Sequence, residues 1–293
     1  MIVTEYELLV CLADELNMRR SAEKLFLSQP ALSQRLQTIE SRWNTKIFIR
    51  TQKGLLLTPE GEAIVKHAAS VIAREHEIQE RLEAMEGVVR GTLRIACASV
   101  VAQMWLPRVL KMFTEKYPDV TISLQTGWSS DVHELLASGS VHLGIVRGST
   151  PWKSVKRHLF TDRLILVDQE IERIEDVFET NRPFIQFRSD SNYYQVIQDY
   201  WQRNFSKLPK QVMLMDQIET SRQMAINGIG FAILPEVTMS QEIDAVVNRI
   251  PLTEKDGTEL GRDTNLLTYE QSLELPQVAA FLEVTNQFLE TSR

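Results

Sequence analysis

Cysteine is nearly absent from this chain. Cys11 and Cys97 are the only two in 293 residues, and their separation excludes a disulfide framework or a thiolate metal cluster, leaving two buried thiols as the expectation. The five histidines, His67, His76, His133, His142 and His158, fall into no HxxxH, HxE or cysteine-paired spacing, so they offer no metal site. Glycine, at 12 residues, builds no GxSxG elbow, Walker loop or GxGxxG turn, and Gly228-Ile229-Gly230 precedes an apolar strand instead of following one. With no nucleophile and base in view, the sequence points away from an enzyme. Also missing are an apolar run of roughly 18 residues and a basic-then-apolar leader, so the expected place is the cytoplasm, with no membrane partner.

A basic excess is lacking too: the formal charge is -7. DNA-binding proteins usually carry a positive footprint, but its distribution matters more than its sum. Residues 1–60 hold eight Lys/Arg and seven Asp/Glu, so the acidity belongs to the rest of the chain. Arg42, Lys46, Arg50 and Lys53 lie in a stretch, residues 41–59, with no carboxylate at all, which predicts a local positive patch.

What is present is a strong helical grammar at the start. Leu9, Leu12, Ala13 and Leu16 recur at helical spacing after Thr4, predicting a helix over residues 4–16, and a short second helix follows at about 21–26. Ser28 can cap a third helix whose first turn contains Pro30, where a missing N–H costs nothing. Leu32, Leu36, Ile39 and Trp43 share one face of it; Gln29, Pro30, Ser33, Gln34 and Gln37 lie on the others. Amides and hydroxyls at the N-terminal end of such a helix can read base edges in a major groove. Asn44 ends the helix, and residues 47–57 read as a hairpin with a polar, basic tip. As a wing it would set Arg50 and Lys53 on phosphates. On periodicity alone, a plain three-helix cap whose polar face meets only water remains equally open.

Residues decide between them. Ser21-Ala22-Glu23-Lys24-Leu25, Ser28-Gln29-Pro30-Ala31-Leu32-Ser33, Leu36, Ile39-Glu40, Ile47-Phe48-Ile49-Arg50 and Leu57-Thr58-Pro59-Glu60-Gly61 together resemble the signature of the LysR-type transcriptional regulators. Trp43-Asn44 stands where that family usually has Leu-Gly, and Gln52 where it often has a further basic residue. The resemblance implies a winged helix-turn-helix over residues 1–58, its helix-turn-helix at about residues 18–37, with Gln29, Pro30, Ser33 and Gln34 near bases and Arg50 and Lys53 on the DNA backbone.

Thr58-Pro59-Glu60 is a strong helix start. Ile64, Ala68, Val71, Glu75, Ile78, Leu82 and Met85 then alternate at spacings of four and three, a heptad seam interrupted by Glu75, along a rod of about 42 Å. A dimerising linker helix over residues 59–88, ended by Gly87, is expected; a long helix lying on its own chain is the alternative. The family likeness implies antiparallel pairing of two such linkers.

Beyond Gly91 apolar strands alternate with helical stretches in two sets, predicting an α/β region of two lobes. The expected strands are 93–97, 120–124, 143–146, 164–167, 184–187, 212–215, 231–234 and 265–269. Helices are expected to about 117, near 130–138, at 191–205, at 219–227 and at about 275–290. The whole resembles the periplasmic-binding-protein-like effector domain of the LysR family, over residues 89–293, with lobe I at about 89–162 and 267–293 and lobe II at about 163–266.

Ligands of open α/β sheets sit beyond the carboxyl ends of the strands, among helix N-termini. Ser99, Ser129, Ser189 with Asn192, and Thr220 occupy such places, and as a set they could hold a carboxylate or similar small effector. Each alone reads equally as an ordinary N-cap. Arg147, and secondly Arg188, could meet an anionic group, and equally could pair with a protein carboxylate or face solvent; Val100, Val101 and Trp128 make part of the crevice apolar. The chain is therefore expected to bind double-stranded DNA at an interrupted inverted repeat in a promoter region, as a dimer and then a tetramer, under a small-molecule effector and with no cofactor. A cytoplasmic solute-binding protein with a helical assembly domain is the competing class.

Overall fold

The computed structural model describes residues 3–52, 54–84, 89–149, 151–188, 193–205, 207–210, 212–239 and 247–291. The chain divides into two compact units, the first of residues 1–87 with 137–140 and the second of residues 88–136 with 141–293.

In the first unit α1 (Glu5–Glu15) opens with a reciprocal cap: the Thr4 hydroxyl accepts from Glu7 N–H while the Glu7 carboxylate accepts from Thr4 N–H. The second helix, α2, spans Met18–Lys24 and not 21–26, because Asn17 accepts hydrogen bonds from the backbone of Arg19 and Arg20 and so starts it early. The third, α3 (Gln29–Trp43), keeps its expected ends, with Ser28 accepting from Ala31 N–H and Asn44 in the left-handed conformation at φ 48°. Strands β1 (Phe48–Thr51) and β2 (Gly54–Leu57) pair antiparallel as the wing. Leu8, Leu9, Leu12, Met18, Ala22, Leu32, Leu36, Ile39, Ile47, Phe48 and Leu55 form the core. Trp43 stays 40% exposed and meets the edge of His67 instead of entering that core.

The linker helix α4 covers Pro59–Ala84. Its 26 residues make a rod of about 39 Å. Ile64 and Ala68, the first two members of the expected seam, are spent on the first unit's own core. Val71 is half-buried and Ile78 exposed. Met85 and Gly87 lie outside the described residues.

The second unit is built on strands β3 (Gly91–Ala98), β4 (Val120–Gly127), β5 (Leu143–Arg147), β6 (Val155–Asp168), β7 (Phe184–Phe187), β8 (Val212–Met215), β9 (Phe231–Pro235), β10 (Asn248–Pro251) and β11 (Gly261–Thr268). Their hydrogen-bonded order is β4-β3-β5-β11-β6-β9-β7-β8, with β10 on the other side of β6. In each half three strands run parallel, β4-β3-β5 and β8-β7-β9, as βαβ connections require. The helices between them are α5 (Ser99–Met104), α6 (Leu106–Lys116), α7 (Ser129–Ala137), α8 (Tyr193–Phe205) and α9 (Ile218–Ile226), and α10 (Pro276–Thr291) closes the chain.

Three differences from the sequence reading have physical causes. The helix expected to run on to about 117 is split at Trp105, since Pro107 cannot donate to the preceding turn and starts a new helix. Strand β6 is 14 residues long, not four, because Val155–Arg163 pair with β11 and Leu164–Asp168 with β9 and β10. Strand β11 begins at Gly261, and Thr264–Thr268 pair with β5, so it lies with the first lobe's sheet from well before residue 267.

Candidate DNA interface and effector cavity

The first turns of α3 present Gln29, Pro30 and Gln34 exposed and Ser33 half-buried. Arg50, on β1, reaches across from the wing and donates from Nη2 to Ser33 Oγ at 2.6 Å. Wing and helix therefore form one polar surface. Lys53 lies outside the described residues.

That surface is held by contacts invisible along the sequence. Glu40, buried on the inner side of α3, accepts from Lys46 Nζ at 2.6 Å and, through Oε1, from Ile47 N–H at 3.0 Å and Phe48 N–H at 3.3 Å. Its carboxylate thus fixes the start of the wing. At the other end Leu55 N–H donates to the Leu16 carbonyl at 2.8 Å, and a Cβ on Gly54 would come within 2.5 Å of that same oxygen. Gly54 also has φ +133°, so glycine is required twice over. The positive patch expected over residues 41–59 is smaller than its sequence implies. Arg42 pairs with Glu5 and Lys46 with Glu40, carboxylates supplied by other segments, and Arg50 is left to face outward with α3.

In the second unit a cavity of about 80 Å³ lies between the two lobes. Ser99, Val100, Ser129 and Arg147 line it, as expected, together with Trp128, Phe187, Gln217, Ile218, Glu219 and Arg262. Ser189 and Asn192 lie outside the described residues. Thr220 does not line the cavity: α9 starts at Ile218, so Gln217 to Glu219 face the opening while Thr220 sits exposed on the next part of the turn.

The hydroxyls are already engaged, in complementary senses. Ser99 Oγ donates to the Gly127 carbonyl at 3.2 Å and keeps a lone pair; Ser129 Oγ accepts from Arg147 N–H at 3.2 Å and keeps its proton. The Arg147 guanidinium is buried and donates twice to Asp162 Oδ2, at 3.1 and 3.2 Å. Of the readings open for Arg147, the pair with a protein carboxylate is the one observed. Asp162 Oδ1 in turn accepts from Val237 N–H at 3.0 Å, so the pair ties β5 to the chain just beyond β9. Burial pushes the Asp162 carboxyl upward, and Arg147 pulls it back. Arg262 lies over the Tyr193 ring, 5.1 Å from its centroid. Glu219 is paired with Arg222, whose guanidinium holds its carboxyl below the usual range. Asp162, Gln217 and Arg262 were not foreseen, because no local spacing joins them to Arg147. Arg188 is exposed, with its backbone N–H on the Met215 carbonyl.

Among the described residues no helix is long and apolar enough to cross a membrane. The comparisons with known proteins agree on what this architecture is. Residues 3–62 match the family described as "Bacterial regulatory helix-turn-helix protein, lysR family", and residues 86–290 match the "LysR substrate binding domain". The chain is 53% identical over 290 residues to the HTH-type transcriptional regulator YkuM of Bacillus subtilis, covering 99% of this chain and 98% of that protein. It is 34% identical over 279 residues to the regulator YraN of the same organism, covering 95% of each. Among solved structures, full-length OxyR from Pseudomonas aeruginosa superposes with a TM-score of 0.69 at 17% identity over 97% of each chain. CbnR complexed with its target DNA superposes with a TM-score of 0.69 at 16% identity, over 98% of this chain and 99% of that one. With a matched DNA-binding module, a matched effector module and relatives that are transcriptional regulators and not enzymes, this chain belongs to the LysR family of DNA-binding transcriptional regulators.

Proposed function

We propose that the chain reads an interrupted inverted repeat in promoter DNA through Gln29, Pro30, Ser33 and Gln34, with Arg50 and Lys53 on the phosphates, and that a small carboxylate held between the lobes adjusts that grip. The observation that carries the reading is the Arg50–Ser33 contact, which joins wing and recognition helix into one polar face. Two copies paired through α4, and two such dimers together, would present recognition helices to paired half-sites. The work is done in the cytoplasm, where the DNA is.

For the effector, support comes from the donors in the cavity: the Ser129 hydroxyl proton, Arg147 and Arg262, beside the apolar faces of Val100, Trp128 and Ile218. A ligand carboxylate would share Arg147 with Asp162. A volume of about 80 Å³ limits the enclosed part to a few heavy atoms, with any bulkier portion toward Trp128. A ligand that favours one lobe arrangement shifts its population and, through the dimer, the placement of the recognition helices.

The test is fluorescence anisotropy on a duplex that the protein itself selects from a randomised pool, against a scrambled duplex, at two salt concentrations. Affinity should fall steeply with salt. Gln29→Ala and Ser33→Ala should each weaken specific binding by roughly five- to a hundredfold while leaving the fold intact. Normal binding by both variants would remove α3 from the interface. A panel of small carboxylates and their neutral amides, scored by thermal shift, tests the effector class: stabilisation by the amides alone would exclude it.

A further inference from the structure

Phe26 sits in the turn between α2 and α3 with 94% of its surface exposed and φ at 54°. It occupies the position after a helix end that ordinarily takes glycine or asparagine: Leu27 N–H reaches back to the Ala22 carbonyl at 2.9 Å, and Phe26 N–H to Glu23 at 3.2 Å. A bulky side chain in the left-handed region is strained. An apolar ring left in water gains nothing from burial either. The chain therefore bears two unfavourable features at one residue and receives no packing in return, a combination that marks a functional position and not a structural one.

We infer that Phe26 is a DNA-contacting residue that lays its ring against the deoxyribose at the rim of the groove. The inference rests on α3 being the recognition helix. Phe26 lies two residues before the Ser28 cap and three before Gln29, so its exposed ring stands on the chain that leads into the exposed first turn of α3. When the first turn of a recognition helix enters a major groove, the chain just ahead of it passes the sugar–phosphate wall. Phosphate oxygens offer a phenyl ring nothing, whereas the furanose is the apolar part of that wall. Such a contact adds affinity without sequence information and without counterion release.

The experiment compares Phe26→Asn, Phe26→Leu and wild type in thermal unfolding and in anisotropy on the selected and scrambled duplexes across a salt series. Asparagine suits the left-handed turn, so Phe26→Asn should melt higher than wild type yet bind both duplexes about tenfold more weakly, with an unchanged slope of log affinity on log salt. Phe26→Leu should keep most of the affinity. Wild-type binding by Phe26→Asn overturns the inference, as does a loss confined to the selected duplex, which would assign the ring to a base. A lower melting temperature in Phe26→Asn would make Phe26 a packing residue and overturn it as well. If the wild-type protein selects no duplex at all, the DNA-reading assignment of α3 fails first, which is a separate result.

Discussion

Glu40 shows what a single buried carboxylate can do for an interface it never touches. Its Oε1 takes two backbone N–H groups of the wing and its Oε2 takes Lys46. Removing a partner leaves buried donors unpaired, at about 1–3 kcal/mol for each. Glu40→Ala should therefore destabilise the first unit by about 2–6 kcal/mol in urea unfolding. Glu40→Gln keeps one acceptor oxygen for the two N–H groups and should lose clearly less. An equal loss in both variants would show that the Lys46 pair, and not the backbone bonds, holds the wing. None of this could be seen in the sequence, where Glu40 reads as one more charged residue; its partners come seven and eight positions later and meet it only because Asn44 turns the chain back. Arg42 and Lys46 teach the same lesson with the opposite sign. A stretch free of carboxylates in sequence acquires Glu5 and Glu40 in space.

At the scale of elements, the ends of helices were the most legible part of the chain. Thr4, Ser28 with Pro30, Asn44 and Thr58 mark boundaries through bonds made within three or four residues, so local chemistry suffices to place them. Where the decisive partner is remote, the reading slipped. Strand β6 was seen only where both faces are apolar, since its first half alternates and its length is set by β11 a hundred residues away. Strand β10 was not anticipated, because Asn248–Pro251 has no strand pattern of its own. Thr220 was misplaced by one residue, since the helix expected from 219 starts at Ile218, and a single position turns a side chain from the cavity, where Glu219 stands, to the solvent. The helix α4 was legible as a rod but not in the use of its seam, whose first two members serve the first unit. The proposed pairing through α4 would then fall to the later positions. Ile78→Glu should weaken self-association at least tenfold by sedimentation without lowering the first unit's melting temperature, since Ile78 is exposed and outside its core. Unchanged association would move the dimer contact off α4.

The whole molecule has separate cores, one in the first unit and a set in the second, so separate unfolding transitions are expected. One of them carries an acid sensitivity that can be assigned to a residue. His142 is buried beside Arg94, and burial first, then that guanidinium, hold its imidazole neutral down to about 3 from an ordinary value of 6.5. Between those values the unfolded chain takes a proton that the native chain refuses, so stability is lost as pH falls through that window. By pH 5 the loss is about 2 kcal/mol. Comparing His142→Gln with wild type by calorimetry at pH 7 and pH 5, the second unit's transition should move down less in the variant. Equal shifts would relocate the sensitivity to other groups.

The chain crosses between its lobes twice, and both crossings, β6 and β11, are strands hydrogen-bonded to each other along eight residue pairs, with one irregularity at Thr264/Asn265. Two loose connections would let the lobes swing freely and come to rest anywhere. A paired ribbon cannot swing. It can only twist and bend, and the ladder shared by the two strands opposes both. A ligand that shifted one lobe against the other would have to load this ribbon, so the two crossings would act as one spring and not as two independent tethers.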